Sequence, residues 1–282
     1  MAKRVAFGRI NRRLPDTHQT LDMRPLREDL VQLVESRELR AEVKGREWIA
    51  ADMSLDASGD FMTGVIGYSQ AELKRDFDDE TFSWVKGPTR EDPGASVDTL
   101  VPFAIDIRDD RRWVGFVPSR LIRTRAFSEG FTILLNKAVE AVRLIPAEWE
   151  VDMLSTLTTI EEWLDDNPDV VLFVRTVKFT NPGRDISAER AEMRALSAKA
   201  KKEHFIATSQ GYLNLQDNPE FVDLTEGIET GDVDIELRAR SGRRYLSVDH
   251  AAEDYVDDFG HDLQTGMARV LDAVRRYAES KE

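Results

Sequence analysis

The chain has no cysteine, so neither a disulfide framework nor a thiolate metal site can be built from it. Its four histidines, His18, His204, His250 and His261, follow no metal-binding spacing. No apolar run is long enough to cross a bilayer, and the run over 170–174 is among the longest. No apolar h-region follows the opening Met-Ala-Lys-Arg, and a cytoplasmic chain is expected. Gly-x-Gly-x-x-Gly and Gly-x-Ser-x-Gly are both missing, which removes the usual dinucleotide cradle and nucleophile elbow. Lys86-Gly87-Pro88-Thr89 lacks the first glycine and the spacing of a phosphate loop.

What is present is globular. In 282 residues, 41 % are hydrophobic and 33 % charged, enough for one large or two ordinary cores under a polar surface. The net charge of −14 sets the summed field against a polyanion. The charges are segregated, however. Lys3, Arg4, Arg9, Arg12 and Arg13 hold the first residues without an acid. Arg108, Arg111, Arg112, Arg120, Arg123 and Arg125 cluster at one expected hairpin, and Arg238, Arg240, Arg243 and Arg244 at another. Acids pool at 76–80, 161–166 and 253–262.

Periodicity predicts a mixed α/β (α+β) chain. Strands are expected at 5–10, 48–55, 61–68, 100–108 and 113–117, where apolar and polar positions alternate between turn residues. Leu26, Leu30, Leu33 and Val34 follow Pro25 at helical spacing, and Phe131, Leu134, Leu135, Ala138 and Val142 form a second stripe. Residues 76–96 read as a long polar loop. A short helix over 159–165 precedes a buried strand at 170–179. A helix is expected over 187–203, and a hairpin from Val233, Ile235, Leu237 and Ala239 to 245–248. A long helix is expected over 250–279. Two mixed α/β domains with antiparallel hairpins are expected, residues 1–145 and 146–282. The terminal helix, about 28 residues or roughly 40 Å long, exceeds what one domain needs and points to a homodimer.

Three constellations carry possible chemistry. Asp234, Glu236 and Arg238 share one strand face, as in metal nucleases with two carboxylates and a lysine, although arginine is a poor proton acceptor. His250, His261 and Asp262 resemble part of a metal site, with an acidic helix face as the alternative. The helix over 187–203 places Arg190, Arg194 and Lys201 within about 40° of each other, with Met193, Leu196 and Ala200 on a separate packing face. Lys199 and Lys202 extend its charge, and Arg175, Lys178 and Arg184 precede it. Such a stripe suits a phosphate backbone. It also suits an ordinary solvated face, because Glu189, Glu192 and Glu203 interrupt it. With Arg111, Arg112, Arg243 and Arg244 of the two hairpins, these residues form the expected DNA-binding set. No catalytic residue, metal ligand or cofactor is assigned.

The layout resembles the RexA-like phage exclusion proteins, whose best-known member comes from phage lambda. The likeness is one of element order and length over most of the chain. It rests on the N-terminal strand and helix, the pair at 48–55 and 61–68, Leu100-Val-Pro-Phe-Ala-Ile, and Trp113-Val-Gly-Phe-Val. It continues through a helix at 127–141 and an expected strand at 142–146. Asp234-Ile-Glu-Leu-Arg-Ala-Arg240 with its return at Tyr245, and the helix to Tyr277, complete it. The resemblance implies a dimer of two-domain chains with an RdgC-like fold. It implies binding to double-stranded DNA without strong sequence preference, exclusion of competing phages from a lysogen, and a RexB-like membrane partner. It carries no catalytic motif. A metal-dependent nuclease and a protein-binding sensor or adaptor are the alternatives.

Overall fold

The computed structural model describes residues 2–13, 25–43, 46–69, 77–78, 80–84, 100–108, 111–144, 147–178, 192–193, 195–196, 198–216, 218–259 and 262–281. The first strand, β1 (Lys3–Arg13), organises the larger of two principal sheets. One of its edges pairs with β8 (Trp113–Phe116). The opposite edge takes β14 (Glu253–Val256) along residues 3–6 and β9 (Glu148–Met153) along residues 8–13. Beyond β8 the sheet continues through β7 (Leu100–Asp106), β4 (Phe61–Ser69), β3 (Arg46–Leu55) and β2 (Arg40–Val43), all antiparallel. The two-residue strands β5 (Phe77–Asp78) and β6 (Ser83–Trp84) pair with each other inside the segment expected to be a loop.

Helices cover both faces of this sheet. On one face α1 (Leu26–Ser36) and α2 (Thr124–Val142) bury Leu30, Phe127, Phe131 and Leu134 against Ile10, Trp48, Phe103 and Phe116. On the other, α5 (Leu263–Ser280) sets Val270, Ala273 and Val274 against Val5, Phe7, Ala104 and Trp113. Burial from both sides explains why β7 and β8 are covered nearly throughout, although β7 alternates in sequence. The helices approach closely at two glycines. A Cβ on Gly130 would lie 2.6 Å from the Trp48 ring, and one on Gly115 2.5 Å from Val274.

The smaller sheet runs β11 (Ala200–Ile206), β10 (Val170–Lys178), β12 (Val233–Ala239), β13 (Arg244–Leu246). Helices α3 (Leu157–Asp166) and α4 (Pro219–Leu224) cover one of its faces, packing Ile160, Leu164 and Phe221 on Phe173, Val177, Ile235 and Leu237. Thr156 caps α3 by accepting from the Thr159 amide. The mixed α and β content, the antiparallel hairpins and the long C-terminal helix agree with the expected fold class.

Several boundaries differ from expectation. The sheets do not part at residue 145. β9 belongs to the larger sheet, and the chain returns to that sheet with β14 and α5 after completing the smaller one. The strand expected at 142–146 does not start there: Val142 ends α2 and Arg143 closes it with φ 56°, while 145–146 lie outside the described residues. The terminal helix does not begin at 250. Residues 247–249 make a 3-10 turn and 253–256 pair with β1, so α5 spans 18 residues, about 27 Å. Its buried face, Met267, Val270, Ala273, Val274 and Ala278, packs on its own chain, so helix length gives no argument for a second subunit. Among the described residues, no helix is long and apolar enough to cross a membrane.

Asp56 ties the β3–β4 loop to α5. Its carboxylate accepts from the amides of Gly59, Asp60 and Phe61, from the Ser58 hydroxyl and from Arg275. Burial pushes this carboxyl up, but the bonds from Ser58, Arg275, Phe61 and Gly59 outweigh it and bring it from 3.8 to about 2. A depressed carboxylate contributes stability above its unfolded value and loses it as pH falls through the folded one. Asp56→Ala is therefore expected to cost about 2 kcal/mol at neutral pH. Urea unfolding should show the deficit constant above pH 5 and shrinking between about pH 4 and 2.

Candidate nucleic-acid interface

The basic stripe expected on one long helix does not form as such. Arg184, Arg190 and Arg194 lie outside the described residues. Glu192, Met193 and Ala195 are helical, but 200–206 is the strand β11. Strand geometry puts Lys201, Glu203 and Phe205 on one face and Lys202, His204 and Ile206 on the other. Of the expected packing face, Met193 is buried, whereas Leu196 is 71 % exposed.

Carboxylates hold most of the remaining candidates. Arg175 is buried, with its Nε on the Leu224 carbonyl at 2.6 Å and Nη1 3.1 Å from Glu203. Lys199 bridges Glu148 and Glu150. Lys201 meets Glu192 at 3.1 Å and Glu203 at 3.4 Å. In the β7–β8 connection Arg112 is 1 % exposed with φ 58°, and its carbonyl accepts from the Ile10 amide, so its side chain belongs to the interior. Arg111 beside it is half-buried. Arg108 binds Asp106 through two nitrogens, and Arg125 binds Asp249 at 2.7 Å. Arg175, Lys178 and Arg112 are therefore corrected from phosphate ligands to interior charges.

Lys178 occupies the seam between the sheets. Its ammonium contacts Asp152 of β9 and, at 2.7 Å, Asp234 of β12. Asn11 of β1 donates to the second oxygen of Asp152 at 2.7 Å. Burial lowers the affinity of Lys178 for its proton, but the two carboxylates outweigh it and hold the amine charged far above its usual range. Burial raises the Asp234 carboxyl in spite of Lys178, with Asp152 and Glu150 adding to the rise. Sequence reasoning missed this triad. The only signal is that Lys178 lies two residues from Thr176, the cross-strand partner of Asp234, and therefore on the same face.

Cations engage both carboxylates of the nuclease-like strand. Asp234 meets Lys178, and Glu236 meets Arg244 at 2.6 Å. Among the described residues no three His, Cys, Asp or Glu side chains are grouped to hold a metal. His250 stacks on Tyr245 with ring centroids 4.5 Å apart, His261 lies outside the described residues, and Asp262 caps α5.

Among the described residues, the face of the smaller sheet turned away from α3 and α4 stays open beyond the Lys178 seam. Register sets its rows: Lys202 beside Thr176 and Asp234, and Leu172 beside Arg238, which faces Arg244. Lys202, Arg238, Arg243 and Arg244 are exposed. Arg238 and Arg244 are direct cross-strand neighbours, an arrangement that like charges ordinarily disfavour. The sheet's aromatic residues, Phe173, Phe205 and Tyr245, turn to the opposite, covered face. Comparison of the chain with family models, with curated proteins and with solved structures finds no match.

Removing Lys178 leaves two carboxylates facing each other in a poorly solvated seam. Lys178→Met is expected to destabilise the chain by about 3–5 kcal/mol. The triple change Lys178→Met, Asp152→Asn, Asp234→Asn should recover most of that loss in urea titrations. Equal stability of Lys178→Met and the parent chain would show that the triad contributes nothing.

Proposed function

We propose that this chain binds double-stranded DNA without sequence preference through the outer face of its smaller sheet, in the phage-exclusion role that its RexA-like layout implies. The supporting observation is the pair Arg238 and Arg244, directly opposed on adjacent strands, with exposed Arg243 at the turn and Lys202 two strands away. A polyanion laid on this face relieves their repulsion and gains charge-assisted hydrogen bonds. Phe173, Phe205 and Tyr245 lie on the covered face, and of the described strand residues only His204 brings a ring to the outer one, a small platform for stacking unpaired bases. Its chemistry addresses phosphates, which favours duplex over single strand.

Four cations per chain limit the electrostatic contribution. With about four phosphate contacts, affinity falls on the order of hundredfold between about 50 and 200 mM salt. A homodimer would present two such faces and steepen that dependence. A small RexB-like membrane protein is the partner proposed for the exclusion step.

Gel-shift titrations across salt test the reading. A shift at low salt, lost in the double variant Arg238→Glu, Arg243→Glu and retained in Lys199→Gln, is expected. Absence of any shift at low salt sinks the DNA reading. A shift that survives the double variant shows that another surface carries it.

A further inference from the structure

The outer face of the smaller sheet holds more than cations. Register places Ile206 of β11 beside Leu172 of β10, and Leu172 beside Arg238. Val174 shares the face, between His204 and Glu236, and Glu236 in turn faces Leu246. Ile206 is 74 % exposed, more than any other large apolar side chain among the described residues. A phosphate backbone makes no use of such an apolar corner, whereas a protein surface does. Beside it, Arg238 and Arg243 have no acid partner among the described residues. Glu236 holds Arg244 through one nitrogen, and the Arg244 side chain stays 55 % exposed.

The opposite side of the same sheet carries the reverse charge. No lysine or arginine occurs between Arg143 and Arg175, or between Lys202 and Arg238. These two stretches contain α3 and α4, the helices that cover the sheet. Ile160 and Leu164 turn α3 inward, which leaves Glu161, Glu162, Asp165 and Asp166 exposed over about 140° of its circumference. Glu220 and Asp223 of α4 are exposed as well, with the apolar Val222 between them. Glu161 with Asp165, and Glu162 with Asp166, are like charges four residues apart. Both aspartates also sit in the last turn, at the negative end of the helix dipole. Glu161, Glu162 and Asp166 have no ion pair among the described residues. Within one chain the two faces cannot meet, because the sheet and its packed core lie between them. Between two chains they are complementary. Cross-strand neighbours such as Arg238 and Arg244 stand about 5 Å apart, and residues one helical turn apart, such as Glu162 and Asp166, about 6 Å. Each set of like charges relieves the repulsion within the other, and Val222 supplies an apolar group for the Ile206 corner.

We propose that the outer sheet face of one copy docks the α3–α4 face of a second copy, head to tail. Such a contact is heterologous. The net charge of −14 opposes it at long range, but at about 0.1 M salt fields are screened beyond roughly 10 Å and the facing patches decide. The contact occupies the face proposed for DNA without requiring that DNA bind there. Its readout is taken without nucleic acid, so failure of either reading leaves the other standing.

Sedimentation equilibrium of the full chain tests it. At about 100 mM salt the parent chain is expected to self-associate with a dissociation constant below about 1 mM, and to lose this association at about 500 mM salt. Two double variants reverse exposed charges and leave the core untouched: Glu162→Lys with Asp166→Lys, and Arg238→Glu with Arg243→Glu. Each alone is expected to associate about tenfold or more weakly than the parent. Their equimolar mixture is expected to recover a one-to-one complex, because the unaltered sheet face of one variant meets the unaltered helix face of the other. A parent chain that stays monomeric up to about 1 mM overturns the proposal. So does undiminished association of either variant alone, or a mixture that behaves as the separate variants do.

Discussion

The surplus of carboxylates over cations governs this molecule. With 53 acids against 39 lysines and arginines, a cation that lies within reach of an acid is neutralised by it. Arg175, Lys178, Lys199 and Lys201 all meet that fate, in geometries from a buried seam to an exposed strand. The charges still available for an outside partner are those whose neighbours are other cations. Around the β12–β13 hairpin, Arg238, Arg243 and Arg244 outnumber the one acid, Glu236, that reaches them among the described residues. Net charge and local surface therefore point in opposite directions, and only the surface decides what can bind.

The same pairing joins the architecture to the surface. Lys178 belongs to the smaller sheet, Asp152 to the larger one, and Asn11 to the strand that the larger sheet is built around. The triad fixes the β12 end that carries Asp234, and the outer face runs from there along β12 to Arg238. Backbone bonds reinforce the joint: the Ser155 amide donates to the Ile228 carbonyl and the Ala252 amide to the Leu154 carbonyl. The return of the chain through β14 and α5 closes the larger core after the smaller sheet is complete.

How much of this was legible in the sequence follows from the range of the interactions involved. The hairpins of β3–β4 and β7–β8 were legible because alternation and turn residues are local signals. Strand β11 was not. Ala, Lys and Glu favour helix intrinsically, and its period of two spans only seven residues beside β10. β14 was read as helix because its acids sit in a polar run, and its pairing with β1 joins residues at opposite ends of the chain. Of the candidate interface, the arginines of the β12–β13 hairpin were legible. The capture of Lys178 by Asp152 was not, since that contact joins two different sheets.

Two adjacent lysines offer the most direct test. Lys201 and Lys202 are neighbours in the chain but point to opposite faces of β11, one held by Glu192 and Glu203, the other exposed on the outer face. Acetylation of lysines in the free chain and in its complex with duplex DNA, read residue by residue by mass spectrometry, compares them within one peptide. Loss of reactivity at Lys202 with Lys201 unchanged is the expected result. Equal protection of both, or protection of Lys201 alone, contradicts the outer face of the smaller sheet as the DNA-binding surface.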